Sequence, residues 1–273
     1  MVVDQMKSSQ LANKFLRRKE NKDTLVFLNG TFNTLEDWEA MGTYFFEKEN
    51  YNVLQFDMRN QGNSFKSNRD FAYEDILEDI KCLLVSLEIQ KPILIAYSSA
   101  TSFVVDLTSE NPELAKQVIL SAPVVNPYGM FRTRLLHKAL IGSLENGGVE
   151  DLFVLMYPLV FSSAFCEHNK NAFVAFTERF NATTDKDLVL PYIKAWMKNT
   201  VTLTKLQCLE TTCPSAYIYG KEDVFNTGFY MKSLREELQK MEFHEIDNCG
   251  HALHIEDYEQ YFTLLKDILR RDA

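Results

Sequence analysis

Short apolar runs alternate with longer amphipathic segments along most of this chain, and no other feature of the sequence constrains the fold as much. The run TLVFL at Thr24 to Leu28, for example, is almost continuously apolar and ends at Asn29-Gly30. Such a run is typical of a strand that is buried on both faces of a parallel sheet. The alternation therefore predicts an α/β fold with a mostly parallel sheet flanked by helices.

The same pattern predicts six strands and four flanking helices. The strands are expected at 24–28, 51–56, 92–96, 117–120, 215–219 and 242–246, and the helices at 73–87, 101–109, 230–240 and 256–270. From residue 126 to about 208 the alternation is replaced by helical stretches without an obvious strand, with plausible breaks at Gly147-Gly148 and Pro158. We interpret residues 126–208 as a helical lid inserted into one α/β core that consists of residues 1–125 and 209–273. The first 20 or so residues receive no assignment.

Charge and apolar patterning exclude several classes of partner. The chain has 29 Lys and Arg against 38 Asp and Glu, a net charge of −9. A surface of that sign repels nucleic-acid backbones and anionic lipid headgroups. No apolar run reaches the roughly 18 residues that a membrane span requires. We expect no nucleic-acid binding and no membrane span, and the sequence leaves the oligomeric state open.

The cysteines and the N-terminal residues indicate a compartment. The five cysteines are odd in number, scattered, and without a Cys-x-x-Cys pair, so they predict neither a disulfide framework nor a zinc site. The start of the chain has no apolar signal-peptide core. We therefore expect reduced thiols in a cytoplasmic protein. The sequence predicts no metal site and no cofactor.

The third predicted strand ends in a turn that is typical of a catalytic serine. Ligands of open parallel sheets bind outside the carboxyl ends of the strands. The segment AYSSA at 96–100 leads from the strand into an amphipathic helix. A nucleophile elbow places a serine on such a turn, with small residues two positions before and after it. Ser98 meets this requirement with Ala96 and Ala100, whereas Ser99 has bulkier neighbours. Taken alone, a serine in this place is more often a helix cap.

The ends of the fifth and sixth predicted strands provide an acid and a base. Asp223 follows the fifth strand, and Gly250-His251 follows the sixth. Each alone is more often a solvated loop residue, and His254 lies closer to the next helix and is interpreted as structural. The order serine, acid, histidine, each after a strand, is that of α/β-hydrolases and of neither other common serine triad. We therefore predict a catalytic triad of Ser98, Asp223 and His251.

The first strand ends in a turn that predicts an oxyanion hole. It continues as Asn29-Gly30-Thr31, and in this architecture the residue after the glycine turns its backbone N–H toward the serine. We expect the N–H groups of Thr31 and Ser99 to bind the oxyanion, a contribution of about 3–4 kcal/mol per donor.

These motifs resemble those of α/β-hydrolase-fold proteins over about residues 22 to 270. The matching segments are LNGTF, DMRNQGNS, ILIAYSSA, YIYGKEDVF and NCGHALHIED. The resemblance implies that fold, with a helical lid after the sixth strand of the family's sheet. Three departures stand out: Asn29 replaces the usual histidine, alanines replace the elbow glycines, and the N-terminal segment is too short for a convincing first hairpin. The sheet is therefore expected to lack a strand.

Within the fold, the chain is similar to the acyltransferases that make the hydroxyalkanoyloxy-alkanoate precursor of rhamnolipids. Those proteins share the Asn-Gly turn, a helical lid, and an elbow without the usual first glycine. The resemblance implies a small-molecule acyl substrate, a fatty or hydroxy-fatty acyl thioester carried on coenzyme A or an acyl carrier protein. A basic run is either a docking face for an acidic carrier or, more commonly, a solvated helix face; it contains Arg132, Arg134, His137 and Lys138.

The predicted function is serine-dependent hydrolysis or transfer of an acyl group from an ester or thioester through an acyl-enzyme. Two alternatives stay open. One is an enzyme of the same fold with other chemistry, such as carbon–carbon bond hydrolysis or cofactor-free proton transfer. The other is a non-catalytic binding member of the fold. The aromatic residues of the lid fit an acyl pocket or plain core packing, and core packing is favoured because aromatics are not enriched there.

Overall fold

Seven strands form one sheet in the computed structural model, which describes residues 11–18, 22–198 and 201–271. In chain order the strands are β1 Asn13–Leu16, β2 Thr24–Leu28, β3 Asn52–Phe56, β4 Ile93–Tyr97, β5 Gln117–Ser121, β6 Ser215–Gly220 and β7 Glu242–Ile246. Across the sheet the order is β1-β3-β2-β4-β5-β6-β7. Only the pair β1 and β3 is antiparallel. The predicted mostly parallel sheet is confirmed.

The strands differ in how clearly the sequence pattern predicts them. β3, β4 and β5 are buried along their whole length, which explains their apolar runs. β1 is a four-residue edge strand that is half exposed, and its residues NKFL form no apolar run. The sequence pattern therefore did not predict β1, and the sheet has seven strands instead of six.

Helices cover both faces of the sheet and the end where the parallel strands terminate. They are α1 Glu39–Lys48, α2 Tyr73–Ser86, α3 Ala100–Glu110, α4 Phe131–Val160, α5 Ser163–His168, α6 Phe173–Thr183, α7 Lys186–Trp196, α8 Leu203–Thr212, α9 Gly228–Glu237, α10 Leu253–Glu256 and α11 Tyr258–Arg271. Buried residues of α2, α3, α8 and α9 belong to the core on one face, and those of α1 and α11 belong to the core on the other. The pattern did not predict α1 or the short α10, and the helix predicted at 256–270 corresponds to α11.

The helices α4 to α8 form the insertion between β5 and β6. It follows the fifth strand of this chain, one earlier than the position after the sixth strand that the resemblance implies, which fits a sheet with one N-terminal strand fewer. α4 is interrupted at Gly148, whose φ of +86° lies in the left-handed region. The break expected at Pro158 lies two residues too early, because α4 continues through Pro158 and ends at Val160. The division of the chain at 126 and 208 stays a prediction.

Across the described residues, no helix is both long and apolar enough to cross a membrane.

Candidate active site

Ser98 lies on the sharp turn between β4 and α3, at the carboxyl edge of the sheet. Its φ is +53°, in the left-handed region that a serine rarely adopts. Its N–H donates to the carbonyl oxygen of Ser121 on β5, 2.9 Å away. Ala96 and Ala100 are fully buried on either side, so small side chains let the strand and the helix approach each other. The geometry is that of a strained strand-to-helix turn that presents a serine.

The three residues of the predicted triad form one hydrogen-bonded chain. Ser98 Oγ is 2.8 Å from His251 Nε2, and His251 Nδ1 is 2.8 Å from Asp223 Oδ2. Both His251 and Asp223 are buried. With Nδ1–H donating to the carboxylate, Nε2 is left to accept the serine proton. The structure thus brings together residues that are 153 and 28 positions apart, and their catalytic role stays a prediction.

Asp223 is held in place by an asparagine that the sequence analysis missed. Its Oδ1 accepts the N–H of Phe225, and its Oδ2 accepts Nδ2–H of Asn226, both at 2.9 Å. Asn226 also donates to the carbonyl oxygen of Pro123 at 2.9 Å and accepts the hydroxyl of Tyr217 at 2.6 Å. These bonds fix the carboxylate toward the imidazole. An asparagine three residues after an aspartate is typical of turns, and this spacing is the signal that points to the pair.

The backbone of His251 is bonded to two different parts of the molecule. Its N–H donates to the carbonyl oxygen of Val160, the last residue of α4, at 2.7 Å. Its carbonyl oxygen accepts the hydroxyl of Tyr97, the last residue of β4, at 3.0 Å. The ring of Phe225 lies 5.2 Å from the imidazole, edge to face. The sheet and the insertion therefore both determine where the imidazole lies.

The two residues of the predicted oxyanion hole are neighbours, and their side chains interact. The N–H of Thr31 donates to Ser99 Oγ at 2.9 Å, and Thr31 Oγ1 is 3.0 Å from the same oxygen. An oxyanion that uses the Thr31 N–H must share it with the Ser99 hydroxyl or displace that hydroxyl. A Cβ on Gly30 would lie 2.8 Å from Ser98 Cβ and 2.9 Å from Tyr97 Cδ1, so only glycine lets this loop approach Ser98 so closely.

Asn29, which stands where the resemblance leads one to expect histidine, is buried and fully bonded. Its Nδ2 donates to the carbonyl oxygen of Phe56 at 2.7 Å, and its Oδ1 accepts the indole N–H of Trp38 at 2.6 Å. The position needs one donor and one acceptor, and an amide supplies both.

His254 is half-buried beside the site, where it also lines the cavity in front of Ser98, and it is not part of the hydrogen-bonded chain. Its ring lies 4.7 Å from Trp38 and 4.8 Å from Tyr97. Burial lowers its pKa to about 4, and within the described ranges neither ring nitrogen has a hydrogen-bond partner. The imidazole is therefore uncharged at neutral pH, in keeping with a structural role.

An apolar cavity of about 220 Å³ opens in front of Ser98 and His251. Much of its wall comes from the insertion, including Leu152, Phe153, Met156, Tyr157, Phe180 and Trp196. Of the lid aromatics, which were interpreted as plain core packing, Phe153, Tyr157, Phe180 and Trp196 pack in the interior and also line this cavity. A wall of this kind favours an uncharged, apolar group beside the serine.

A second, more polar cavity of about 440 Å³ adjoins the first, and Phe32, Asn33 and Phe180 line both. Charged side chains of both signs line it, namely Glu36, Asp37, Lys66, Arg179 and Asp185. In the part of the chain that the structure describes, no group of His, Cys, Asp and Glu side chains is arranged to hold a metal ion.

Comparison with known proteins identifies the architecture. Residues 23–137 match the model of the family described as the α/β-hydrolase fold. The structure superposes on MGS-M2, an α/β-hydrolase enzyme from a Medee basin deep-sea metagenome library, with a TM-score of 0.83, 21% identity, and coverage of 95% of this chain and 94% of that chain. The chain has the α/β-hydrolase fold. The fold predicted from the motifs is thereby confirmed.

Two further relatives of the hydrolase fold are described as esterases. A thermophilic esterase from Thermogutta terrifontis has a TM-score of 0.80 at 14% identity, with 96% of this chain and 93% of that chain covered. A candidate esterase/lipase of Haemophilus influenzae is 23% identical over 284 residues, 98% of this chain and 91% of that protein. The family match includes the turn of Ser98 and ends before Asp223 and His251.

Proposed function

We propose that this protein is a serine-dependent acyl hydrolase or acyltransferase that acts on an ester or thioester. The observation that carries the proposal is the hydrogen-bonded chain from Ser98 Oγ through His251 to Asp223, with both distances at 2.8 Å. The Ser98 end of this hydrogen-bonded chain faces the apolar cavity, so an acyl group bound there has its carbonyl carbon beside Ser98. This arrangement supports Ser98 as nucleophile, His251 as base and Asp223 as the acid that orients the base in acyl transfer.

In the first half of the proposed reaction, His251 Nε2 takes the proton of Ser98 as Oγ attacks the acyl carbonyl. Asp223 stabilises the imidazolium that forms. The N–H groups of Thr31 and Ser99 bind the oxyanion of the tetrahedral intermediate. His251 then protonates the leaving alcohol or thiol, which departs and leaves the acyl group on Ser98.

In the second half, the acyl group passes to water or to a hydroxyl of a second substrate. His251 again acts as the base, now on the acceptor, and returns the proton to Ser98. The likeness to proteins described as esterases supports hydrolysis. The similarity to hydroxyacyl acyltransferases supports transfer. The two differ in whether an acceptor excludes water from the cavity.

The size of the apolar cavity supports a short or medium acyl chain, fatty or hydroxy-fatty. Its volume of about 220 Å³ lies below the roughly 300–1,000 Å³ of pockets that hold drug-sized ligands. The adjoining polar cavity accommodates a polar leaving group, such as the thiol end of a coenzyme A or carrier-protein thioester.

Basic residues at one end of α4 support the docking of an acidic acyl carrier. Arg132, Arg134 and Lys138 are exposed there. His137 does not belong to this basic face, because it packs against Trp196 and burial lowers its pKa to about 4.

The decisive experiment is Ser98→Ala, assayed with p-nitrophenyl esters and acyl thioesters of increasing chain length. We expect a loss of at least about a thousandfold in kcat and no labelling by a fluorophosphonate probe. Ser109→Ala, at the far end of α3, is the matched control. It keeps the wild-type kcat and is labelled by the probe. Labelling that persists at Ser99 in the Ser98→Ala variant places the nucleophile one residue later. A wild type inactive on every ester and thioester, with His251 essential for another reaction, points to carbon–carbon hydrolysis or proton transfer.

A further inference from the structure

The end of α4 is joined to the loop of His251 by backbone hydrogen bonds. The carbonyl oxygen of Val160 accepts the N–H of His251 at 2.7 Å and that of Ala252 at 3.3 Å. The same end of α4 lines the apolar cavity through Val160 and Phe161. One short segment of the insertion therefore borders the acyl site and holds the backbone of the base.

A single carboxylate strengthens this junction from the other side. Oε2 of Glu256, in α10, accepts the N–H of Ser162 at 2.9 Å, and Oε1 accepts the N–H of Gly250 at 3.0 Å. Ser162 belongs to the insertion, and Gly250 precedes the catalytic histidine. Glu256 thus bridges the two segments through one N–H of each.

The junction leaves no free space at its centre. A Cβ on Gly250 would lie 2.7 Å from Ser162 N, 2.7 Å from Val160 O and 2.8 Å from Glu256 Oε1. Burial raises the pKa of the Glu256 carboxyl, and the N–H donors of Ser162 and Gly250 oppose that rise. Because charge-assisted bonds are stronger than neutral ones, this carboxylate holds the junction more firmly than a neutral side chain would.

We propose that Glu256 is a positioning residue for His251: its carboxylate fixes the histidine loop against the end of α4, so that the insertion sets the distance between the imidazole and Ser98. This inference rests on the proposed function of the Ser98 site. Glu256 touches neither substrate nor the reacting atoms, and it acts through the loop. The alternative is that Glu256 only stabilises the fold.

The test compares Glu256→Ala with wild type in the full-length protein. We expect kcat for a p-nitrophenyl ester to fall about tenfold or more, with KM within about twofold, because a displaced base impairs the chemical step more than binding. The rate of fluorophosphonate labelling of Ser98 falls by a similar factor. Glu256→Gln keeps one acceptor oxygen and gives an intermediate loss. A purely structural role lowers Tm and leaves both rates, per folded molecule, unchanged.

Glu259→Ala is the matched control, since Glu259 lies in the first turn of α11 and is exposed. It leaves kcat and the labelling rate as in wild type. Amide hydrogen exchange at Gly250 and Ser162 becomes faster in Glu256→Ala and not in Glu259→Ala. If Glu256→Ala fails to fold, Glu256→Gln carries the same comparison. Rates in the Glu256 variants equal to those of Glu259→Ala overturn the inference. An inactive, unlabelled wild type overturns the proposed function instead.

Discussion

The turn that carries Ser98 and the loop that carries His251 are held in different ways. The Ser98 turn is held chiefly by the sheet, because it connects β4 to α3 and bonds to Ser121 on the next strand. The insertion reaches α3 at Ser102, whose hydroxyl accepts the indole N–H of Trp196 at 3.2 Å. The His251 loop is tied to the core through Tyr97 and to the insertion through Val160. Ser98 is therefore placed mainly by the sheet, whereas His251 is placed jointly by the sheet and the insertion. Changes in the insertion should reach the chemistry through the base and the acyl site.

The largest effect is expected from changing Asp223, the residue of the core that orients the His251 ring. Asp223→Asn replaces the acceptor of His251 Nδ1–H by an amide and favours the wrong tautomer of the imidazole. We expect kcat for ester hydrolysis to fall about a thousandfold to ten-thousandfold, with the fold retained. Asp247→Asn, on an exposed side chain paired with Lys221, serves as control and keeps activity. A loss below tenfold in Asp223→Asn would contradict the assigned role.

A smaller loss is expected from crowding the nucleophile turn. The Cβ of Gly30→Ala meets Ser98 Cβ at 2.8 Å, so the loop of Thr31 must move away from the serine. We expect kcat to fall about a hundredfold, since small displacements of catalytic groups have effects of that size. Steady-state kinetics provide the measurement.

Gly142→Ala is the matching change in the insertion, because no atom lies within 4 Å of the new Cβ. Activity is unchanged, and the free energy of unfolding rises by about 0.5–1 kcal/mol because Gly142 lies inside α4. Equal activity losses in the two glycine variants would show that the nucleophile turn is not specially confined.

The pH dependence of two imidazoles, one in the α/β core and one in the insertion, allows the stability of these two regions to be compared. Burial lowers the pKa of His254 in the core and of His137 in the insertion to about 4. As pH falls below the unfolded value of about 6.5, the unfolded chain binds protons that the folded chain does not, so stability falls between about pH 6.5 and 4. At pH 5 each imidazole accounts for about 1–2 kcal/mol of this loss.

Urea unfolding at pH 7 and pH 5 measures this dependence. His254→Phe and His137→Phe each reduce the pH-dependent loss of stability. Similar reductions indicate that core and insertion unfold together, and a reduction in only one transition indicates separate unfolding. A pH dependence identical to wild type in both variants would refute the buried, neutral state of these rings.

The smallest expected effect concerns the acyl site. Met156→Ala enlarges the apolar cavity from the insertion side, so acyl chains one or two carbons longer gain about fourfold in kcat/KM per methylene. Val154→Ala, on the exposed side of α4, is the control and leaves the chain-length profile unchanged. A profile unaffected by Met156→Ala would place the acyl chain elsewhere.

The sheet and the residues at its carboxyl edge were predictable because buried parallel strands have continuous apolar runs. Ser98 and Asp223 follow such runs, and His251 follows the more polar, partly exposed β7, so their order along the chain was predictable before their contact was. The edge strand β1 was not predictable, because four half-exposed residues carry no such pattern. The contribution of Glu256 was missed for a different reason. Glu256 meets Ser162 across 94 positions, and nothing local to either residue indicates the other.

The residue pattern of the insertion did not predict how its aromatic side chains line the cavity. Its aromatic content matched the rest of the chain, which favoured core packing, yet Phe153 and Phe180 also line the cavity. Apolar periodicity shows which side of a helix is covered, and it does not distinguish a covering protein wall from a covering ligand. That distinction depends on how α4, α6 and α7 pack over the sheet.

Asn29 gives the loop of Thr31 an anchor that does not titrate. A histidine in its place would carry a titratable ring, and the hydrogen bonds to Phe56 and Trp38 would then depend on its protonation state. The carboxamide keeps one donor and one acceptor from acid to base. Any change of turnover with pH must therefore originate in groups other than the one that anchors this loop.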